Sequence, residues 1–403
     1  MKIFDIVESY REKMVKTLCD IIEIKAISPE YGGDGEYEKA EYLMKYLEGF
    51  DYVERFDVKD DRVKSGLRPN IVAKIKGALG RTIWIVAHLD VVPEGDERLW
   101  DTPPFKGVVK DGKVYGRGSE DNGQSIVSSL FAAKSIIESG LTPKYSFGVV
   151  YVADEETGSN YGVQHLLKQN IFQKEDMFVV PDVGSPNGNM IEIAEKSIMW
   201  LKFKVYGQQS HASHPKGVNA ARRAMEFILD LDKKLHSKFI GKNNLFVPPH
   251  STFEPTKREK NVDNINTIPG LDISYMDCRV IPEYDLDEVL EYIEDIRLFH
   301  EMKGNGKIEV EVIQKVSSPP TSETAEIVQR LKKTIEMLRG VQSKVCGIGG
   351  NTCASFFRKN GFNETAAWCT VDGVAHQANE YCVIDNMVDD SKVFAALAFD
   401  PEY

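Results

Sequence analysis

Short continuous apolar runs alternate along the chain with longer segments of helical periodicity. Polar residues follow four of the apolar runs: His88 and Asp90 after 82–87, Glu155 and Glu156 after a run that ends just before them, Asp182 after 177–180, and His376 after 366–369. Such runs are typical of strands buried on both faces, which belong to parallel sheets covered by helices. Ligands bind such sheets outside the carboxyl ends of the strands. We therefore expect these polar side chains to converge at one sheet edge.

Two helical segments in the first part of the chain each carry an apolar face. Segment 4–24 places Val7, Met14, Leu18, Ile21 and Ile22 on one face, and 125–138 does the same with Ile126, Leu130, Ala133 and Ile137. Alternation of strands with such helices predicts an α/β domain with a mixed, largely parallel sheet.

From about residue 198 the order of elements changes. The pattern predicts strand 199–206, helix 219–236, a short strand near 264–268, strand 271–280, helix 286–303 and strand 307–315. This β-α-β-β-α-β order is the ferredoxin-like arrangement. We therefore predict a discontinuous domain, 1–197 and 317–403, interrupted by a ferredoxin-like α+β domain at 198–316.

Composition excludes several classes of protein. At 403 residues with 42% hydrophobic content, the chain is long enough for two domains with proper cores. A net charge of -12 argues against nucleic-acid binding, and no apolar stretch approaches the roughly 20 residues of a membrane span. The six cysteines form no Cys-x-x-Cys pair, so neither a disulfide framework nor a thiolate zinc site is expected. A soluble cytoplasmic protein is predicted.

The adjacent Glu155 and Glu156 suggest a metal site. Two neighbouring carboxylates need a cation or a proton between them, although such a pair can also mark a solvated turn. Imidazole and carboxylate ligands without cysteine suit zinc, cobalt or manganese, and the histidines and carboxylates at the sheet edge suffice for two metals sharing a bridge. The bridge is best sought in the glycine-rich segment 116–123. That segment could also be an ordinary strand-to-helix loop or a phosphate-binding loop, but it lacks the Walker and Rossmann spacings.

Five ordered motifs resemble the M20 metallopeptidase family, which includes carboxypeptidases, dipeptidases, acetylornithine deacetylase and succinyl-diaminopimelate desuccinylase. The motifs are His88-Leu-Asp90-Val-Val-Pro93, Gly116-Arg-Gly-Ser-Glu-Asp121, Asp154-Glu155-Glu156-Thr-Gly158, Asp182, and Ala375-His376-Gln-Ala-Asn-Glu380. The resemblance implies that the larger domain is catalytic and holds two divalent ions, zinc above all, with cobalt or manganese as alternatives. Asp121 would bridge them, with His88 and Asp182 completing one site and Glu156 and His376 the other.

The resemblance also implies catalytic roles. Asp90 would support the histidine ligands from behind, and Glu155 would take a proton from the metal-bridging water and pass it to the leaving amine. His211, in a motif that runs from Gly207 to Ala220 and includes Asn219, would stabilise the oxyanion, often in the partner subunit's site. The inserted domain would thus act as a lid and a dimerisation domain in a homodimer.

Substrate recognition rests on weaker similarities. Asn266, Arg279, Gly350 and Thr352 resemble the substrate-holding positions of the family, and Arg279 could bind a substrate carboxylate. The structural alternative for Arg279 is an ion pair with Asp277.

We predict a hydrolase of amide bonds in N-acyl amino acids or short peptides. A dipeptidase or aminopeptidase, a non-catalytic binding descendant, and a cysteine hydrolase using Cys353 or Cys369 are the alternatives. Two departures from the family leave the substrate open. The lysine that many members carry after the bridging aspartate is missing, and Cys353 stands where they often have aspartate. The sequence also leaves open whether the Asp121-Asn122 peptide bond is cis.

Overall fold

The computed structural model describes residues 2–304 and 306–399. Its helices are α1 Lys2–Ser9, α2 Arg11–Glu23, α3 Tyr37–Met44, α4 Gln124–Ser139, α5 Val163–Leu166, α6 Ala220–Lys238, α7 Leu286–Gly304, α8 Glu326–Arg339, α9 Cys353–Lys359 and α10 Ile384–Leu397. Its strands are β1 Tyr52–Lys59, β2 Leu67–Ile75, β3 Thr82–His88, β4 Val108–Lys110, β5 Lys113–Tyr115, β6 Ser146–Val152, β7 Met177–Gly184, β8 Met190–Glu195, β9 Ser197–Tyr206, β10 Ser210–His211, β11 Thr252–Arg258, β12 Thr267–Ile268, β13 Leu271–Val280, β14 Ile308–Val316, β15 Lys344–Ile348, β16 Thr365–Cys369 and β17 Tyr381–Val383.

The first of two compact units comprises the residues up to Ile193, Thr321–Cys346, and the residues from Thr352 on. Its main sheet has the strand order β1-β2-β6-β3-β7-β16-β8-β15. The neighbouring pairs β6/β3, β3/β7 and β7/β16 are parallel, whereas β1/β2, β2/β6 and β16/β8 are antiparallel. The predicted α/β fold with a mixed sheet is confirmed, and the four central strands pair in parallel.

These central strands are the apolar runs of the sequence. Every residue of β3, β6 and β16 is buried, as are the first five residues of β7. Helix α4 is buried on nearly all sides, because it is packed by α1, α2 and α10 as well as by the sheet. Since parallel strands end at one edge, the polar residues in and after the carboxyl ends of β3, β6, β7 and β16 are brought to the same side of the sheet.

The predicted single helix over 4–24 is wrong in one respect, because α1 and α2 are separated at Tyr10. The backbone N–H of Tyr10 donates to the carbonyl of Val7 at 3.0 Å, a tighter turn than an α-helix makes. The predicted apolar face is buried on both sides of this break, because a single turn of tighter helix barely changes which side chains face the core.

The second unit comprises Ala194–Pro320 and Gly347–Asn351. Its four-stranded sheet has the order β11-β13-β9-β14, and all neighbouring strands are antiparallel. Helices α6 and α7 pack on this sheet around a core that includes Phe203, Phe227, Leu231 and Ile293. This order and connectivity are those of the ferredoxin-like arrangement.

The prediction for the second strand of this arrangement, near 264–268, was wrong. The second strand is β11, whereas the segment near 264–268 contributes only β12, which pairs with β10 in a separate ribbon. The sequence pattern missed β11 because it is an edge strand with one buried residue, Phe253, and a register shift after Pro255.

The domain boundaries at 197/198 and 316/317 stay predictions. Among the described residues, no helix combines the length and apolarity required to cross a bilayer.

Candidate metal centre

The candidate ligands lie where strands and turns of the first unit end. His88 is the last residue of β3, Asp182 lies in β7, Glu156 lies in the turn after β6, His376 lies in the loop after β16, and Asp121 lies in the turn that leads into α4. The structure thus brings together residues that lie up to 288 positions apart in the sequence, from His88 to His376.

Two groups of ligand atoms share Asp121. We call His88, Asp121 and Asp182 the His88 cluster, and Asp121, Glu156 and His376 the His376 cluster; within each, the potential ligand atoms lie within 4.8 Å of one another. Oδ1 of Asp121 lies 2.8 Å from His88 Nε2, and Oδ2 lies 3.1 Å from His376 Nε2. One carboxylate therefore presents a separate oxygen to each cluster. The peptide bond between Asp121 and Asn122 is cis.

The ring of His88 is oriented for coordination through Nε2. Its Nδ1 lies 3.0 Å from the backbone carbonyl of Asp90, so Nδ1–H is the donor and Nε2 is the nitrogen that would bind a metal. The Asp90 carboxylate is 3.6 Å from the same ring nitrogen and accepts the backbone N–H groups of Glu155 and Glu156, each at 3.0 Å. Asp90 thus supports His88 through its carbonyl and the paired glutamates through its side chain.

Carboxylates outnumber imidazoles at this centre, and the pKa values of Glu155, Glu156 and His376 are raised. Burial and the nearby Asp182 raise the pKa of Glu155 well above its usual range. Burial and Asp121 raise the pKa of Glu156 to about 7, against the opposing hydrogen bond from His376. Hydrogen bonds to Asp121 and Glu156 raise the pKa of His376 to about 10. Bound cations would supply the positive charge that these protons otherwise provide.

Several residues around the centre were missed as contributors by sequence reasoning. The side-chain amide of Asn122 donates to Asp182 Oδ1 and to the carbonyl of Pro181, each at 2.9 Å, and so orients a candidate ligand. Glu120 and Glu380 also lie within recognised motifs, and position in those motifs is the signal that could have singled them out.

A buried lysine gave no signal in the sequence. Lys39 of α3 is 4% exposed and donates from Nζ to the carbonyl of Leu89 at 2.8 Å. Burial lowers its pKa to about 8, against the opposing effect of Asp90. A lysine on a helix is usually solvated, so only the tertiary structure reveals this position.

The two cysteines named as alternative nucleophiles are buried. Burial raises the pKa of both Cys353 and Cys369 well above the usual range, and the neighbouring Glu155 adds to the effect at Cys353. Because a thiolate is the nucleophile in cysteine hydrolases, these thiols are poorly suited to that chemistry.

The second unit places two predicted residues side by side. His211 lies in β10, exposed, with its Nε2 3.5 Å from the side-chain nitrogen of Asn266. Its Nδ1 accepts the backbone N–H of Ser213 at 3.1 Å, which fixes the ring.

The remaining predicted substrate residues have structural partners or open surroundings. Arg279 forms the ion pair with Asp277, at 2.7 and 2.9 Å, and also donates to the carbonyl of Gly349 at 3.1 Å. Space is open at the Cα of Gly350. In the first unit, Thr352 caps α9 by accepting the backbone N–H of Ala354 at 3.1 Å.

A cavity of about 230 Å³ adjoins the His88 cluster within the first unit. Its lining includes Asp121 and Asp182 together with the apolar Val183, Val371 and Ala375. A small group of a substrate could enter this cavity beside the candidate ligands.

The sequence model of peptidase family M20/M25/M40 matches residues 84–400. An uncharacterized metallohydrolase of Methanocaldococcus jannaschii is 42% identical over 403 aligned residues, covering 95% of this chain and 98% of its own. Succinyl-diaminopimelate desuccinylase of Buchnera aphidicola is 27% identical, covering 91% and 93%. Among solved structures, aminopeptidase PepT from Bacillus cereus has a TM-score of 0.77 at 17% identity, covering 96% of this chain and 98% of its own, a likeness of fold.

Proposed function

The chain belongs to peptidase family M20/M25/M40 and is a metallohydrolase, and we propose that it cleaves amide bonds in N-acyl amino acids or short peptides with two divalent ions. The observation that carries this proposal is the position of Asp121, which offers one oxygen to each cluster. We infer zinc as the metal, with cobalt or manganese as alternatives, because imidazole and carboxylate donors suit all three.

The residues present fit two such ions. Each cluster supplies three protein donors, counting the shared aspartate, and no thiolate. The hydrogen bond at Nδ1 directs the Nε2 atom of His88 at this region. Three protein donors leave coordination positions for water and substrate, which is the arrangement of a catalytic site.

The residues of this chain would divide the reaction between them. When bound, the metals would polarise the scissile carbonyl and lower the pKa of water. We assign Glu155 as the group that takes the proton from the attacking water and returns it to the leaving amine, because it is a partly buried carboxylate beside Glu156 that belongs to neither ligand cluster. The two hydrogen bonds to Asp90 keep the backbone of this turn in place.

We extend the proposal to the residues predicted to contact the substrate. His211 would stabilise the oxyanion, in the partner subunit's site of a homodimer, and Asn266, Arg279, Gly350 and Thr352 would hold the substrate. The 3.5 Å separation of His211 and Asn266 supports a joint role for these two side chains. Arg279 would have to exchange part of its pairing with Asp277 for a substrate carboxylate.

A deacylase is favoured over a peptidase by one comparison. The relative named as a succinyl-diaminopimelate desuccinylase is 27% identical over most of the chain, whereas the aminopeptidase structure shares only the fold. We therefore propose an N-acyl amino acid as the first substrate class to test. Cleavage of dipeptides is the second candidate.

The decisive experiment is an activity panel with the metal-reconstituted protein. N-succinyl and N-acetyl amino acids and free dipeptides are tested with and without a chelator. Release from acylated substrates alone supports the deacylase, and release from dipeptides alone supports the peptidase. Activity that persists in the chelator contradicts the two-metal proposal.

The role of Glu155 is tested in the same assay. Glu155→Gln should reduce turnover by at least about 100-fold, because general base catalysis contributes that much, while two ions stay bound. Glu97→Gln, at an exposed glutamate, is the matched control and should behave as the wild type. Unchanged turnover of Glu155→Gln would refute the assignment.

A further inference from the structure

Two buried glutamates connect the loops that carry the candidate ligands. Glu120 precedes Asp121 in the turn before α4, and Glu380 follows His376 by four residues. Glu120 is 5% exposed and Glu380 is 0% exposed, and neither belongs to the His88 or the His376 cluster. A buried carboxylate needs hydrogen-bond donors or a cation, so the partners of each side chain identify what it holds.

Glu380 holds the backbone of the shared ligand. Its Oε1 accepts the backbone N–H groups of Glu120 and Asp121, each at 3.0 Å. Its Oε2 accepts Nη1 of Arg117 at 2.5 Å, and Arg117 is itself 2% exposed. A hydrogen bond from a charged guanidinium is among the strong ones, so the Arg117–Glu380 pair anchors the loop after β16 where it holds the backbone of Asp121.

Glu120 holds the other loop in return. Its Oε1 accepts the backbone N–H groups of Val374 at 2.6 Å and Ala375 at 3.1 Å, and its Oε2 accepts that of Asp372 at 2.8 Å. These amides lie immediately before His376.

The loop that carries His376 depends on such bonds. Residues 370–380, all of them described, form neither helix nor strand. His376 itself has a φ of 64°, a conformation that is unfavourable for any residue with a side chain, and its side chain is 55% exposed. Neither regular secondary structure nor deep burial therefore positions this imidazole.

We propose that Glu120 and Glu380 are reciprocal positioning residues of the metal centre. Glu120 presents His376 to its cluster, and Glu380 fixes Asp121 for both clusters. This inference rests on the proposed two-metal function. It predicts an asymmetry, since loss of Glu120 disturbs a ligand of one cluster and loss of Glu380 disturbs the ligand common to both.

The test is metal binding by variants of the full chain. Binding is measured by titration with cobalt, using the visible absorption of the bound ion. In Glu120→Ala one ion should keep its wild-type affinity, and the second should bind about 10- to 100-fold more weakly, the usual effect of removing a residue that orients a ligand. In Glu380→Ala both ions should bind more weakly. Glu192→Ala is the matched control, because Glu192 is also a buried glutamate, paired with Arg358 at 2.8 Å. It should lower stability and leave both affinities unchanged.

Hydrogen exchange of the metal-free protein supplies a second readout. The amides of Asp372, Val374 and Ala375 should exchange faster in Glu120→Ala than in the wild type, and Glu192→Ala should leave them unchanged. Glu120→Gln keeps one side-chain oxygen as an acceptor, so it should recover most of the affinity for the second ion. Should Glu120→Ala not fold, Glu120→Gln is used for the test instead. The amides of Asp372, Val374 and Ala375 in Glu120→Gln should then exchange faster than in the wild type but more slowly than unprotected amides, and exchange as slow as in the wild type would contradict the positioning role.

The outcomes separate this inference from the proposed function. A wild-type protein that binds no metal would overturn the two-metal function itself. A wild type with two ions and a Glu120→Ala variant with the same two affinities would overturn the positioning role alone. Equal weakening in Glu120→Ala and Glu192→Ala would also overturn it, because the effect would then follow stability rather than ligand placement.

Discussion

Arg68 shows how single residues behind the metal centre determine stability. Its side chain is fully buried, it donates Nε to Glu36 at 2.6 Å, and it lies 3.4 Å from Asp60 and 3.6 Å from Asp154. These acidic groups have been removed from water. The guanidinium is the close counter-ion of Glu36, and it adds positive charge beside Asp154 and beside Asp60, which also pairs with Arg62 at 2.8 Å. Removing one partner of a buried pair leaves the other charge uncompensated.

Arg68→Met should therefore lower the free energy of unfolding by about 3 to 5 kcal/mol, measured by urea denaturation. Arg98→Met is the matched control, because Arg98 is 89% exposed and pairs with Asp96 at the surface. An exposed pair contributes about 0 to 1 kcal/mol, so equal effects of the two substitutions would contradict this prediction.

Cys353 provides a residue-scale test of the chemistry. Its thiol is buried, and its raised pKa keeps it protonated near neutrality. Cys353→Ser should retain activity within roughly an order of magnitude, since the thiol has no part in the proposed reaction. Steady-state turnover of this variant is compared with that of Cys346→Ser, a control at a buried free cysteine that was not a candidate nucleophile. A loss of several orders of magnitude confined to Cys353→Ser would revive the cysteine mechanism.

At the scale of elements, a motif residue can serve a helix rather than a substrate. Asn219 follows His211 in the motif of the second unit, and the structure makes it the N-cap of α6. Its side-chain oxygen accepts the backbone N–H of Arg222 at 3.0 Å. Such a cap satisfies one of the amides that the first turn of a helix leaves without a partner.

Asn219→Ala should lower the free energy of unfolding by about 1 kcal/mol, measured by thermal or chemical denaturation followed by circular dichroism. Asn219→Asp keeps an acceptor at the same place and should restore the wild-type value. If Asn219→Asp were as unstable as Asn219→Ala, the stabilisation would not come from the cap.

For the whole molecule, the concentration of carboxylates in one place makes stability depend on metal. Binding to the folded state alone stabilises it by about 2.7 kcal/mol when the free ligand is at 100 times its dissociation constant. Chelation should therefore lower the melting temperature, and zinc, cobalt or manganese should restore it. Asp121→Asn is the informative variant because Asp121 belongs to both clusters. Its melting temperature should respond to metal much less than that of the wild type. An undiminished response would place the bound metal elsewhere.

The sequence by itself determined the family, the α/β class and the candidate ligands. The family resemblance and the fold class are confirmed. Both could be predicted from short segments of sequence, because buried parallel strands appear as continuous apolar runs and the family motifs occur in a fixed order. The edge strand β11 left no such signal, since most of its side chains face solvent and its pairing depends on distant residues. The boundaries of the domains and the roles of the site residues stay predictions.

Only the tertiary structure decided which groups meet around those ligands. Asp90 and the paired glutamates are close in space through backbone hydrogen bonds, and Glu120 and Glu380 act on loops about 250 residues away in sequence. A carboxylate that accepts hydrogen bonds from backbone amides can pair with almost any residue, because every residue except proline carries the same N–H. The sequence therefore does not indicate which residues are its partners. Local sequence can therefore nominate the ligands of this centre, whereas the contacts that orient them depend on how the folded chain brings distant loops together.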